Sequence, residues 1–324
     1  MINLIQSILS SLVIAEFVLG NFANVFIALV NGIDWVKKQK ISCTDGILTA
    51  MAVSRIGLLW VIALNWYAIV FNAALYSSEM RTVVNIAWVV SNHFSLWLAT
   101  GLSILYLLKI ANFSSLFFLH LKWKAERVVV MILLGSLVFL VSHLAVVSLD
   151  IKMEMNEFEG NITWMTNLRD IAHLSNMTVF TIIHIIPFTM VLAALLLLLL
   201  SLWRHLKNMQ LSGKGSQDAG TKVHVRAMQT AVSFLLMFVI YFLALIITVW
   251  SFDSLHNEEV FLCGQFFAIL YPSNQSFIII WGNKKLNQNF VSLLWQVRCW
   301  PTERKLATPQ VNRRGIICIL AETK

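Results

Sequence analysis

The chain has 324 residues, of which 58% are hydrophobic and only 12% charged, whereas soluble domains run at roughly 45–50% apolar and about 25% charged. That composition excludes a water-soluble enzyme and places the chain in a bilayer. The net charge of +8 sits on lysines and arginines gathered between apolar runs, so it describes topology and attraction to an anionic leaflet, and it excludes nucleic acid as the partner.

Seven apolar runs reach the ~20 residues needed to cross hydrocarbon and are predicted as helices over 3–30, 46–71, 83–108, 128–149, 179–203, 229–252 and 260–281. The first has no basic residue before it and no small-residue cleavage site, which predicts a retained span and not a removable signal. It carries Glu16 and Asn24. The second carries Arg55 near its middle, and an arginine there costs ~2.5–3.5 kcal/mol on insertion scales unless it turns inward to partners. Eleven residues on, about three turns, Trp66 lies on the same face. The third repeats the pattern: Trp88, Asn92, Ser95, Ala99 and Tyr106 share a stripe that mixes polar and aromatic groups where lipid would favour leucine.

The fourth and fifth spans are plainer, with His143 in the one and Pro187 in the other. The loop between them, 150–178, is the longest expected outside and holds the acceptor Asn161-Ile-Thr163. LSGKGSQDAGTK, 211–222, is polar and Gly-rich and reads as a mobile loop. In the seventh span Gln265, Pro272, Ser276 and Asn283 align. KKLNQNFVSLLWQVRCW, 284–300, reads as a helix lying on the membrane surface, with Leu286, Phe290, Leu293 and Leu294 on one face. The remainder, 301–324, reads as a flexible tail.

Orientation follows from the basic residues, which favour cytoplasmic loops. Twenty of the 24 lie in 31–42, 109–127, 204–226 and the segment from 283 on. The N-terminus is therefore expected outside and the C-terminus inside. Cys43, Cys299 and Cys318 then map inside and only Cys263 near the outer face, so no extracellular disulfide within the chain is expected. The eight histidines show no paired ligand spacing, and no phosphate-binding loop or nucleophile elbow is present. The sequence predicts neither enzyme activity, metal nor cofactor.

The inward faces support two readings. One is an outward-opening cleft that orients a small molecule with a few polar groups, lined by Trp66, Trp88, Asn92 and Gln265. The other is interhelical hydrogen bonding and interfacial tryptophan, which suits Asn24, Arg55 and Ser276 as a lock between the first, second and seventh helices.

The motifs EFVLGNFANVFIALVN (16–31), AVSRIGLLW (52–60), WLATGLSILYLLKIANFS (97–114), LLLSLWRHLKNM (198–209), KVHVRAMQT (222–230) and YPSNQSFIIIWGNKKL (271–286) occur in an order and spacing that resembles the bitter taste receptors, the type 2 taste receptor group of seven-helix G-protein-coupled receptors, across residues 1–300. The resemblance implies an all-α, seven-transmembrane bundle in the plasma membrane. It also implies bitter small-molecule agonists and a gustducin-type heterotrimeric G protein acting through phospholipase C and calcium, and it allows receptor oligomers. From related receptors the ligand cleft carries over onto Asn65, Trp66, Trp88, Val89, Asn92, Tyr241, Leu245, Gln265 and Ala268. An inner crevice for the G protein is expected at Tyr106, Lys109, His205, Met209 and His224. Gln265 stands where an acidic residue is frequent in the family, which removes an ion pair for ammonium-bearing ligands. Gln275 replaces a common histidine and Leu105 a frequent phenylalanine. The competing reading is a small-molecule transporter, because charge and prolines inside spans also mark transport sites.

Overall fold

The computed structural model describes residues 4–38, 42–71, 78–111, 113, 115–159, 163–211, 219–254 and 258–306. These form helices α1 (Leu4–Lys38), α2 (Cys43–Val70), α3 (Ser78–Ile110), α4 (Leu116–Trp123), α5 (Ala125–Glu159), α6 (Thr163–Leu211), α7 (Ala219–Ser254), α8 (Glu258–Gly282) and α9 (Lys284–Leu306), with no strand among the described residues. Hydrocarbon offers no partner for backbone N–H and C=O groups, so helices that bond within themselves are what apolar runs of this length must form.

The six expected spans up to 229–252 coincide with helices long and apolar enough to cross a membrane, while the seventh, now α8, is a helix that falls outside that class. Its central Pro-Ser-Asn-Gln-Ser stretch explains the difference. Ser273, Gln275 and Ser276 are wholly buried, so the residues that dilute its apolar character point into the protein. The helices also overrun the expected spans. α5 continues to Glu159 and α6 begins at Thr163, so most of the segment expected as a long loop is helical. α4 was not foreseen. It tucks Phe118 and Leu121 against the core, and Lys122 Nζ donates to the Ala111 carbonyl at 3.0 Å.

α3 lies at the centre, packed on α2, α5 and α6, while α1–α2–α8–α7–α6–α5 close around it. Of the apolar stretch of α3, 72% is buried, against 22% for α5. The outward faces are apolar, with Val138 at 68% and Met131 at 65% exposure, a pattern that lipid tails solvate and water would not. Because lipid is as apolar as leucine, the bundle cannot be held by hydrophobic transfer alone; close packing and interhelical hydrogen bonds must hold it. Gly20 provides one such close approach: a Cβ there would lie 2.7 Å from the Ser273 Cβ, so only glycine lets α1 meet α8.

α9 starts where expected. Asn283 Oδ1 accepts from the backbone N–H groups of Lys285 and Leu286 at 3.0 and 3.2 Å, which satisfies donors that the first turn leaves open. Leu286 is fully buried, Phe290 meets Phe26 edge-on at 5.3 Å, and Leu293 packs on the core; Leu294 is turned away at 51% exposure. Lys285 Nζ reaches Asp34 at 3.1 Å and Asp45 at 3.2 Å, tying α9 to the adjoining ends of α1 and α2. The tail beyond 306 lies outside the described residues, as does Cys318.

Candidate functional site

On one side of the bundle, α1, α2 and α8 are joined by a polar network around Arg55, which is fully buried. Its Nη1 donates to Ser276 Oγ at 3.1 Å and its Nη2 to Gln275 Oε1. Ser276 in turn donates to Asn24 Oδ1 at 2.8 Å. Asn24 Nδ2 reaches the Pro272 carbonyl at 3.0 Å and the Gly20 carbonyl at 2.8 Å. The guanidinium lies over the Tyr271 ring, 5.3 Å from its centroid. Asn24, Arg55 and Ser276 are therefore brought together in one chain of hydrogen bonds. Glu16 accepts from Ser273 Oγ and, at 3.4 Å, from Asn274 Nδ2, so α8 is bracketed by the Arg55 guanidinium of α2 and the Glu16 carboxyl group of α1.

On the other side the contacts are aromatic. Trp88 of α3 is half-buried, stacks on Phe180 of α6 at 5.9 Å between centroids, and touches all three apolar clusters of the bundle. One turn further along α3, Asn92 is buried and accepts at Oδ1 from the Tyr241 hydroxyl of α7. Its Nδ2 lies 3.0 Å from His184 Nε2. His184 Nδ1 lies 2.7 Å from the Phe180 carbonyl. A carbonyl only accepts, so Nδ1 carries the imidazole proton and Nε2 accepts from Asn92. The polarity of the chain is thereby fixed from Tyr241 through Asn92 and His184 to Phe180, across α7, α3 and α6. Tyr241 also stacks on Tyr271 at 4.2 Å, where the two sides of the bundle meet.

The remaining cleft residues divide. Leu245 and Ala268 are buried in the same cluster as Tyr241, while Asn65 and Gln265 are half-buried. Trp66 is buried with its indole N–H donating to Ser10 Oγ of α1 at 3.1 Å, which aims it at the α1 side. Val89 packs on Leu140 and Val147 of α5. At the α4/α9 end, Tyr106 is half-buried against the core and Lys109 Nζ pairs with Glu126 at 3.1 Å. There the His205 and His224 rings lie 4.6 Å apart, and Met209 is half-buried. Asn161 lies outside the described residues. Cys43 and Cys263 are free, and among the described residues no group of three His, Cys, Asp or Glu side chains is placed to hold a metal.

Sequence reasoning missed His184 and Phe180. The available signal was a lone imidazole within TIIHIIPF, three residues before Pro187, where an unpaired polar group would be costly. Gln275 was noted as a departure from a family pattern, but its bond to Arg55 was not anticipated.

The chain matches the family model described as "Taste receptor protein (TAS2R)" over residues 1–298. It is 56% identical over 309 residues to the human "Putative taste receptor type 2 member 33", covering 95% of this chain and 100% of the relative. It is 54% identical over 309 residues to human "Taste receptor type 2 member 43", with the same coverage. With human "Taste receptor type 2 member 46" the identity is 56% over 300 residues, 93% of this chain and 97% of the relative.

Proposed function

The chain belongs to the taste receptor type 2 family, whose members are receptors and not enzymes, and from that premise we propose that it detects bitter small molecules in a cleft between α2, α3, α7 and α8 and activates a gustducin-type G protein, phospholipase C and calcium release. Family membership displaces the transporter reading. The proposal includes α8 as the seventh span, an extracellular N-terminus with Asn161 glycosylated, and a plasma-membrane location with α4 and α9 inside. The twenty basic residues in alternate inter-span segments support that orientation.

The observation that carries the mechanism is the fixed chain Tyr241–Asn92–His184, capped by Trp88 on Phe180. A ligand entering beside Trp88 and Asn92 competes for groups that presently hold α3, α6 and α7 together. It can shift the inactive-to-active balance only by binding the two arrangements unequally. Loosening the Tyr241 bond frees α7, the helix expected to swing outward and open the crevice bordered by Tyr106, Lys109, His205, Met209 and His224. Asn24, Arg55 and Ser276 serve as the stationary scaffold.

Calcium imaging of cells that co-express a gustducin-type subunit, screened with diverse bitter compounds, tests the function. Trp88→Ala at equal surface expression is expected to weaken agonist potency about tenfold, the loss of ~1.4 kcal/mol of aromatic contact. Unchanged potency would remove Trp88 from the cleft, and a response independent of any G protein would remove the function itself.

A further inference from the structure

A cavity of about 600 Å³ opens at the α4/α9 end of the bundle, between α6, α7, α8 and α9. Its volume falls within the ~300–1,000 Å³ usual for small-molecule sites. Thr221, Lys222, Arg226 and Gln229 of α7 line it on successive turns, opposite Trp281 of α8 and Asn287 in the first turn of α9. Two lining residues are cations and none is acidic.

The polar groups here are incompletely used. Arg226 donates through Nη2 to the Trp281 carbonyl and lies over the Trp281 indole, 5.2 Å from its centroid, which fixes the plane of the guanidinium. Its Nε is buried without a hydrogen-bond partner. The Thr221 hydroxyl is likewise without a partner, on a residue only 4% exposed. Burying unused donors costs about 1–3 kcal/mol each unless an acceptor arrives. A preset guanidinium, an exposed ammonium, a spare hydroxyl and an amide around one cavity call for an acceptor-rich anion, and phosphate oxygens suit a guanidinium best.

We propose that this cavity binds the phosphorylated headgroup of an inner-leaflet phosphoinositide. Basic pockets between membrane helices on the cytoplasmic side are where such headgroups settle. The lipid source rests on the inside placement of α9 proposed above; binding of the phosphorylated headgroup does not depend on it. Once seated, the headgroup bridges Lys222 and Arg226 of α7 to Asn287 of α9, and so restrains the inner end of the helix whose movement signalling requires.

The test uses the purified full-length receptor, without agonist or G protein, so its outcome is separable from the receptor reading. Native mass spectrometry measures retention of phosphatidylinositol 4,5-bisphosphate against phosphatidylserine, and a competition arm adds soluble inositol 1,4,5-trisphosphate. The wild type is expected to retain the bisphosphate lipid about tenfold more tightly than phosphatidylserine, with the advantage lost in Arg226→Gln and reduced several-fold in Lys222→Gln and Thr221→Val. Lys222 is solvent-exposed, so its variant tests the site even where Arg226→Gln fails to fold. Displacement of the lipid by the trisphosphate supports the headgroup site. Binding of the trisphosphate with no preference for the lipid overturns the lipid source. Equal retention of both lipids, or retention indifferent to all three substitutions, overturns the proposal.

Discussion

The α1–α2–α8 side of the bundle and the α3–α6–α7 side are both buried and both polar at their centres, yet they are joined by different means. Around Arg55 the helices share a branched set of hydrogen bonds to side chains and backbone carbonyls, and Gly20 brings α1 to within contact of the α8 backbone. Around Asn92 there is a single file of bonds, set among aliphatic packing and stacked rings: Trp88 on Phe180, Phe180 on His184 at 4.0 Å, Phe188 on Phe242 at 4.0 Å. A branched network of directional bonds fixes three helices at several points and is costly to leave partly satisfied, whereas each aromatic pair adds only about 0.5–1.5 kcal/mol beyond its buried area. The first side is suited to stay still and the second to move, and this difference separates substitutions that should lower the amount of folded receptor from those that should alter its signalling.

The sharpest way to break the comparison is Arg55→Leu. It strips Gln275 and Ser276 of their donor and leaves buried acceptors exposed to nothing, for an expected loss of about 3 kcal/mol or more. Surface expression should fall by an order of magnitude, and the detergent-solubilised receptor should unfold at a clearly lower temperature. Normal expression would mean that the α1–α2–α8 network is not the scaffold. Gly20→Ala comes next. Its new methyl meets the Ser273 side chain and lies 3.1 Å from the Ser273 Cα, so α1 and α8 must part, at a cost of about 1–3 kcal/mol. Reduced thermal stability with unaltered agonist potency is the expected result; a potency change at matched expression would show that this side also participates in switching.

On the opposite side Tyr241→Phe removes one hydroxyl and keeps the rings. The substitution leaves Asn92 Oδ1 a buried acceptor without its donor, at about 1–3 kcal/mol in stability, while agonist-free signalling should rise because the single file joining α7 to α3 is cut. Inositol phosphate accumulation without ligand, at matched surface expression, reads this directly. A stability loss as large as that of Arg55→Leu, with silent basal signalling, would erase the distinction between the two sides.

The static side was the more legible in the sequence, for a physical reason. A guanidinium in a 28-residue apolar helix has so few tolerable environments that its inward direction follows at once, and the direction of Asn24 and Ser276 follows from helical spacing. The aromatic side was harder. An indole is equally at home against lipid, against another helix or in a cleft, so spacing put Trp66 and Trp88 on inward faces without revealing that Trp66 bonds Ser10 of α1. Val89 enters from the family resemblance alone, which carries no rotational information; the structure adds that it packs on Leu140 and Val147 beside Trp88. The long spans were readable from hydropathy, but the short α4 and the helix ends were not, because backbone hydrogen bonding continues past the point where the side chains cease to be apolar.

The smallest expected effect concerns Lys109, where topology and coupling give different answers. Its pair with Glu126 is about half exposed on each partner, 42% and 57%, and exposed ion pairs contribute about 0–1 kcal/mol. Lys109→Gln should therefore leave thermal stability within about 0.5 kcal/mol of the wild type and leave agonist binding alone. As a topology determinant it is one of twenty basic residues in these segments, so its loss cannot invert the chain. The one property open to change is G-protein activation, through the charge that Lys109 presents beside Tyr106 at the end of α3. Glu126→Gln makes the control: it breaks the same ion pair but frees the ammonium. Nucleotide-exchange rates that fall in Lys109→Gln and hold or rise in Glu126→Gln would place the cation in the coupling surface, and equal rates in both would leave Lys109 a determinant of topology alone.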